Sequence, residues 1–139
     1  MSADVFRRPQ PVLRGFAAEF YGFLRRRELR FQRCTGCGRW RHTPRVLCPA
    51  CSSSEFEWAR SSGRGRVFSW SVTHRPMHPA FLEVPYATVV IELDEGPRML
   101  TWMRDVPPAS LAIGMRAEVA FEDVSDEVTL AVFRPARGD

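Results

Sequence analysis

The chain has 139 residues, 45% of them hydrophobic and 26% charged, with a formal net charge of +4. This balance excludes a largely disordered chain, because the apolar surface suffices to offset the entropy of ordering, and no apolar run nears the roughly 20 residues of a membrane span. Met1 to Gln10 is polar and no secretory apolar core follows, so the sequence predicts a cytoplasmic protein of one domain, or two very small ones.

All 20 cations are arginine, and lysine and asparagine are absent. A GC-rich genome accounts for such a bias; selection for planar, bidentate contacts to phosphate or carboxylate is the sharper alternative. Residues 1–66 hold 14 arginines and five carboxylates, whereas residues 67–139 hold six and 11. A basic front and an acidic back point to units with different partners.

Residues 12–27 read as an amphipathic helix. Leu13, Phe16, Ala17, Phe20, Phe23 and Leu24 fall at i, i+3, i+4, i+7 spacing, and Arg25, Arg26 and Arg27 stand in the last turn, where cations suit the helix dipole. Gly15 and Gly22 weaken the helix by roughly 1 kcal/mol each relative to alanine, so docking must hold it, on the chain's own body or on a partner. Leu29 and Phe31 alternate with Arg30 and Gln32 in a strand running into Cys34, and Phe56 and Trp58 alternate with Glu55 and Glu57 in a strand running out. Ser61 to Gly65 reads as a turn and hinge.

Residues 66–134 read as all-β. Strands are predicted at Val67–Thr73 (with Phe68, Trp70 and Val72 on one face), Tyr86–Leu93, Arg98–Met103, Arg116–Phe121 and Val128–Phe133. Turns fall at Asp94–Pro97, Pro107–Pro108, Ile113–Met115 and the acidic stretch Glu122–Glu127. Five short strands in about 70 residues fit a small closed barrel of the OB type, with an open sandwich as runner-up. The predicted architecture is mainly β with an N-terminal helix: segment and helix 1–28, ribbon 29–60, OB-fold 61–139.

The chemistry-bearing signal is Cys34-Thr35-Gly36-Cys37 and Cys48-Pro49-Ala50-Cys51, two C-x2-C turns ten residues apart. Two such turns on paired strands point four sulfurs inward as a thiolate tetrahedron, the ligand set of structural zinc. A single iron takes the same four thiolates and is the competing cofactor. Disulfides do not suit a cytoplasmic protein, and a redox C-x-x-C pair would open a helix. A closed four-cysteine site leaves no position for catalysis. His42, between the pairs, reads as an exposed ribbon residue and not a ligand. His74 and His78 flank Arg75 in a proline-rich loop, read as a rigid loop with a ligand-binding role as the alternative. Asp123, Asp126 and Glu127 read as solvated turn acids.

Together the stretches FYGFLRRRELRFQRC, CTGC…CPAC, SGRGRVFSWSVTHRPMHPAF, VPYATVVIELDEGPRML and FEDVSDEVTLAVFRP resemble domain-of-unknown-function family thirty-five over roughly residues 17–135. The resemblance implies a rubredoxin-like zinc ribbon followed by an acyl-CoA-associated OB-fold. It also implies a non-catalytic accessory subunit of thiolase-superfamily enzymes, including lipid-transfer-protein-like aldolases of steroid side-chain breakdown, with enoyl-CoA hydratases as further partners. Its zinc ligands carry over to Cys34, Cys37, Cys48 and Cys51. Ser52 departs from a glycine frequent in the second knuckle, a change a turn tolerates. Phe20, Phe23, Arg26, Arg30, Arg64, His74, Arg75 and His78 are the candidate contacts to a partner or to the CoA thioester. A single-stranded nucleic-acid binder is the competing function, since zinc ribbons and OB-folds both serve it. The acidic barrel argues against that reading, because a binding groove would need cations along it.

Overall fold

A computed structural model describes residues 8–137. Its elements, in chain order, are helix α1 (Gly15–Arg25), strands β1 (Arg30–Cys34), β2 (Trp40–Arg41), β3 (Phe56–Arg60), β4 (Arg64–Thr73), β5 (Tyr86–Leu93) and β6 (Arg98–Trp102), a 3-10 turn (Pro108–Ser110), and strands β7 (Arg116–Asp123) and β8 (Thr129–Pro135). Two antiparallel sheets result, ordered β2-β1-β3 and β6-β5-β4-β7-β8. None of the described helices is long and apolar enough to cross a membrane.

The helix is shorter than its apolar pattern. Arg14 is extended and supplies no side-chain cap, so Val12 and Leu13 stay outside. At the other end the Glu28 N–H donates to the Phe23 carbonyl (3.0 Å) and the Arg27 N–H to that of Leu24 (2.9 Å). That is a Schellman closure, with Arg27 left-handed at φ 63° where glycine is usual. The Arg27 guanidinium then forks onto Asp123 with two bonds of 2.8 Å, tying the helix end to the end of β7.

The ribbon and the larger sheet share one core. Phe20 and Leu24 from α1, Leu29 and Phe31 from the ribbon, and Val67, Val89, Ile91 and Phe133 from the sheet form a single buried cluster. Phe16 packs edge-on against Phe56 (ring centroids 5.5 Å apart), and Phe23 packs at a tilt against Trp58 (5.6 Å). The helix therefore docks on the chain's own body. The hinge expected at 61–65 is pinned instead. Ser61 Oγ and the Ser62 N–H both donate to Glu95, the Ser61 N–H to the Leu29 carbonyl (2.8 Å), and the Val119 N–H to the Gly63 carbonyl (2.8 Å).

The OB-like sheet departs from expectation in two places. Strand β4 begins at Arg64, because Gly65 lies flat on the β5 backbone, where a Cβ would collide with the Glu92 carbonyl. A bulge between Val67 and Ser69 then breaks the alternation. Val67 is buried and Phe68 is 41% exposed, so Phe68, Trp70 and Val72 do not form the single face predicted. The expected closed barrel is also incomplete. Its edge strands meet only loosely, at the end of β6 and just past it: the Thr101 hydroxyl donates to the Ala131 carbonyl (2.7 Å), Met103 bridges Phe133 in parallel, and the Arg104 N–H donates to the Phe133 carbonyl (2.7 Å).

Gly63 has φ 75°, and a Cβ there would overlap the Val119 side chain. Gly63→Ala is expected to destabilise the fold by about 2 kcal/mol or more, from backbone strain plus the clash. Chemical denaturation should show part of that loss recovered in Gly63→Ala/Val119→Ala.

Candidate functional site

The two knuckles are built alike. In the first, the Gly38 N–H donates to the Cys34 carbonyl (2.8 Å); in the second, the Ser52 N–H donates to the Cys48 carbonyl (2.8 Å). Gly38 and Ser52 take the same left-handed conformation, φ 79° and 66°, so Ser52 adopts the backbone that a glycine would adopt more easily. The first knuckle is closed by a bond from the Cys34 N–H to the Arg39 carbonyl (2.9 Å) and tied to the chain before β3 by one from the Thr35 N–H to the Glu55 carbonyl (3.1 Å); the second is closed by a bond from the Cys48 N–H to the Ser53 carbonyl (2.9 Å).

All four cysteine sulfurs lie within 4.8 Å of one another. Cys34 Sγ is 3.5 Å from Cys51 Sγ, and Cys37 Sγ is 3.7 Å from Cys48 Sγ. A tetrahedron of zinc–sulfur bonds of about 2.3 Å has edges of about 3.8 Å, so the cage fits zinc as it stands. Backbone N–H groups of Ala50 and Cys51 bring the Cys48 pKa down to about 6, and the Cys37 backbone N–H lowers that of Cys34. At Cys51 a backbone bond at Ser53 pulls downward, but the neighbouring Cys34 thiol, burial, and the Cys37 and Cys48 thiols outweigh it and push the group up to about 11. Sulfurs this close cannot all ionise without a cation among them. When bound, zinc would supply that charge and cross-link the ribbon; it would leave no open coordination position.

Gln32 and Arg41 hold the chain between the knuckles. Gln32 Oε1 accepts from Arg41 Nε (2.8 Å) and from the Arg45 N–H (2.7 Å), and Arg41 Nη2 donates to the Arg45 carbonyl (3.1 Å). Both side chains are buried. Both backbone groups of Arg45, three residues before Cys48, are thereby fixed. The two-residue strand β2 carries Arg41 and is too short to leave a periodic signal in the sequence.

The other candidate residues fall into separate groups. Phe20 is 5% exposed and lies against Phe31 and His42, so its ring serves the chain's own core. Phe23 is half-buried with the guanidinium groups of Arg26 (5.1 Å) and Arg30 (5.3 Å) over its ring. Arg30 also donates to the Trp58 carbonyl (3.0 Å) and pairs with Glu28 (3.1 Å). Arg64 is 3.9 Å from Glu118. His74, Arg75 and His78 stand exposed on the loop between β4 and β5, where His78 Nδ1 accepts from the Ala80 N–H (3.0 Å).

His42 corrects an expectation. It is half-buried, its ring centroid 5.2 Å from both Phe20 and Phe31, and burial pulls its pKa down to about 4. The sequence reading also missed an aromatic wall of Phe81, Tyr86 and Trp102, capped by the Arg8 guanidinium 5.2 Å from Phe81 and 4.9 Å from Trp102. These rings come from a loop and two different strands, so only their number signalled them.

Two family models match: the ChsH2 rubredoxin-like zinc ribbon domain over residues 23–57 and the ChsH2 C-terminal OB-fold domain over residues 58–122. A solved structure described as "Ltp2-ChsH2(DUF35) aldolase" superposes with a TM-score of 0.83 at 36% identity, covering 91% of this chain and 98% of that one. The chain belongs to the ChsH2 (DUF35) family. A probable enoyl-CoA hydratase alpha subunit of Thermomonospora curvata is 38% identical over 129 residues, 93% of this chain and 40% of that protein. The 3-oxo-4,17-pregnadiene-20-carboxyl-CoA hydratase alpha subunit of Mycobacterium tuberculosis is 38% identical over 109 residues, 78% of this chain and 34% of that protein. The ChsH2-type chain thus spans well under half the length of the curated hydratase subunits it matches.

Two outcomes follow. Cys34→Ser should abolish stoichiometric zinc binding, measured by elemental analysis, and lose the ribbon's chemical-shift dispersion, since zinc supplies on the order of 10–16 kcal/mol in such ribbons; full zinc content in a native-like variant would refute the cage. His42, ordinarily near 6.5, is neutral in the fold down to about 4. Its contribution is therefore complete above pH 6.5 and lost as pH falls toward 4, by at most about 3 kcal/mol. His42→Phe should flatten the decline of stability across that window, read by denaturation at stepped pH values.

Proposed function

We propose that this ChsH2-type chain is a non-catalytic accessory subunit. It binds and supports a thiolase-superfamily enzyme acting on acyl-CoA substrates, of the lipid-transfer-protein-like aldolase kind that cleaves steroid side chains. The observation that carries this reading is the superposition on the ChsH2(DUF35)-type chain, nearly complete on both sides.

The site chemistry supports it. The metal cage is filled by four protein sulfurs, and among the described residues neither His74 nor His78 has a carboxylate partner that would make it a general base. The reacting groups are then the enzyme partner's, and this chain contributes surface. The exposed Arg26–Phe23 edge of α1, Arg64, and the loop carrying His74, Arg75 and His78 are its contact residues, with guanidinium groups suited to a carboxylate on the partner or a phosphate of the CoA thioester. The resemblance to part of two enoyl-CoA hydratase alpha subunits supports an enoyl-CoA hydratase as the second partner class. Single-stranded nucleic acid is disfavoured, because arginines of the large sheet face the chain's own acids: Arg66 and Arg98 to Glu92, Arg104 to Glu122, Arg134 to Glu118.

Co-expression with a thiolase-like protein encoded beside this chain should yield one co-eluting complex whose aldolase activity toward a steroid acyl-CoA depends on both proteins. A thiolase-like protein that is fully active alone and never co-elutes would overturn the reading, as would tight, salt-dependent binding of oligonucleotides by this chain at physiological ionic strength.

A further inference from the structure

The tip of the ribbon carries apolar and cationic groups that the fold does not use. Val46 is 67% exposed and Leu47 53% exposed, side by side between the knuckles. Arg39 and Arg45 are exposed, and among the described residues neither has a carboxylate within salt-bridge distance. Next to them runs a groove of ≈ 520 Å³ between the ribbon and the β5–β6 hairpin, lined by Arg39, Trp40, Arg45, Pro49, Pro97 and Arg98.

Among the described residues no carboxylate lines this groove. The acids of the adjoining hairpin are engaged: Glu92 pairs with Arg98 of the groove wall (3.2 Å) and with Arg66, Asp94 holds Arg116 through two 3.0 Å bonds, and Glu95 accepts from Ser61 and Ser62, so none of them reaches Arg39 or Arg45. The positive charge of Arg39 and Arg45 is thus left without neutralisation by the groove's own walls. The tip is also rigid, because the buried Gln32–Arg41 pair grips both backbone groups of Arg45 and the cysteine cage closes on either side. Exposed apolar side chains held in place, with Arg and Trp beside them, have the composition and preorganisation of an interface centre.

From this we infer that the ribbon tip, centred on Val46 and Leu47 and flanked by Arg39 and Arg45, is the docking surface for an acidic, apolar-studded patch on the enzyme partner. The inference rests on the accessory-subunit reading and specifies where the partner sits. A free phosphate would need the arginines but not two exposed aliphatic side chains, which is why a protein surface is favoured.

The test uses the full chain co-expressed with the neighbouring thiolase-like protein and follows complex formation by size exclusion and surface binding kinetics. Val46→Glu/Leu47→Glu should weaken the complex at least tenfold while zinc content and the circular dichroism spectrum stay native. Arg39→Glu/Arg45→Glu should lower the association rate about tenfold and flatten its dependence on salt. As a control, Leu100→Glu/Ile113→Glu alters two side chains of similar exposure, 67% and 69%, outside the contact surfaces named above. A complex that ignores both tip variants overturns this inference and leaves the accessory-subunit reading standing. No complex with the unaltered chain overturns both.

Discussion

Four sulfurs confined within 4.8 Å are the constraint on which this fold depends. A ribbon of about 30 residues has too little apolar surface to stand alone, and its sulfurs repel one another as they ionise. Only a cation among them reconciles the two. With the cage closed, β1 becomes a rigid plank: its Phe31 side reaches into the common core, and the strand register places Gln32 opposite both Arg41 and Trp58. The helix then lies against Phe56 and Trp58, and the large sheet packs on Leu29 and Phe31.

The arginines have a different meaning in the folded chain than in its composition. Guanidinium is planar and offers two parallel donors, so it staples elements wherever a carboxylate faces it. Arg27 clamps α1 to β7 through Asp123, Arg116 clamps β7 to the β5–β6 hairpin through Asp94, and Arg104 reaches Glu122 with two short bonds. Each fork withdraws charge from the surface. What persists as unneutralised positive charge is local, and at the ribbon tip it coincides with exposed aliphatic side chains.

That coincidence bears on what a small chain can do inside an enzyme complex. The cage, closed by four protein sulfurs, organises backbone; among the described residues the loop histidines have no carboxylate partner. The chain's assets are rigidity and surface: an aromatic helix edge, a proline-rich loop, and a basic tip fixed by buried hydrogen bonds. Those are the assets of a subunit that shapes and completes a partner.

The cysteine cage, the five strands of the large sheet and the apolar face of the helix were all legible in the linear chain. Each is written in local spacing: two C-x2-C turns, period-two alternation with turn residues between, and a 3.6-residue repeat. The remaining features arose only on folding. Ser61–Gly65 carries the glycines of a hinge, yet Glu95 and Val119, distant in sequence, pin it. Phe68 fits a core alternation until the bulge turns it outward. His42 reads as an exposed ribbon residue until it meets Phe20 and Phe31, and whether Phe20 packs on the chain's own body or on a partner is settled only there. Which arginines keep their charge free was likewise undecidable from spacing, because ion pairing joins side chains up to 96 positions apart. Local periodicity is set by neighbours along the chain, whereas burial and charge pairing are set by neighbours in space.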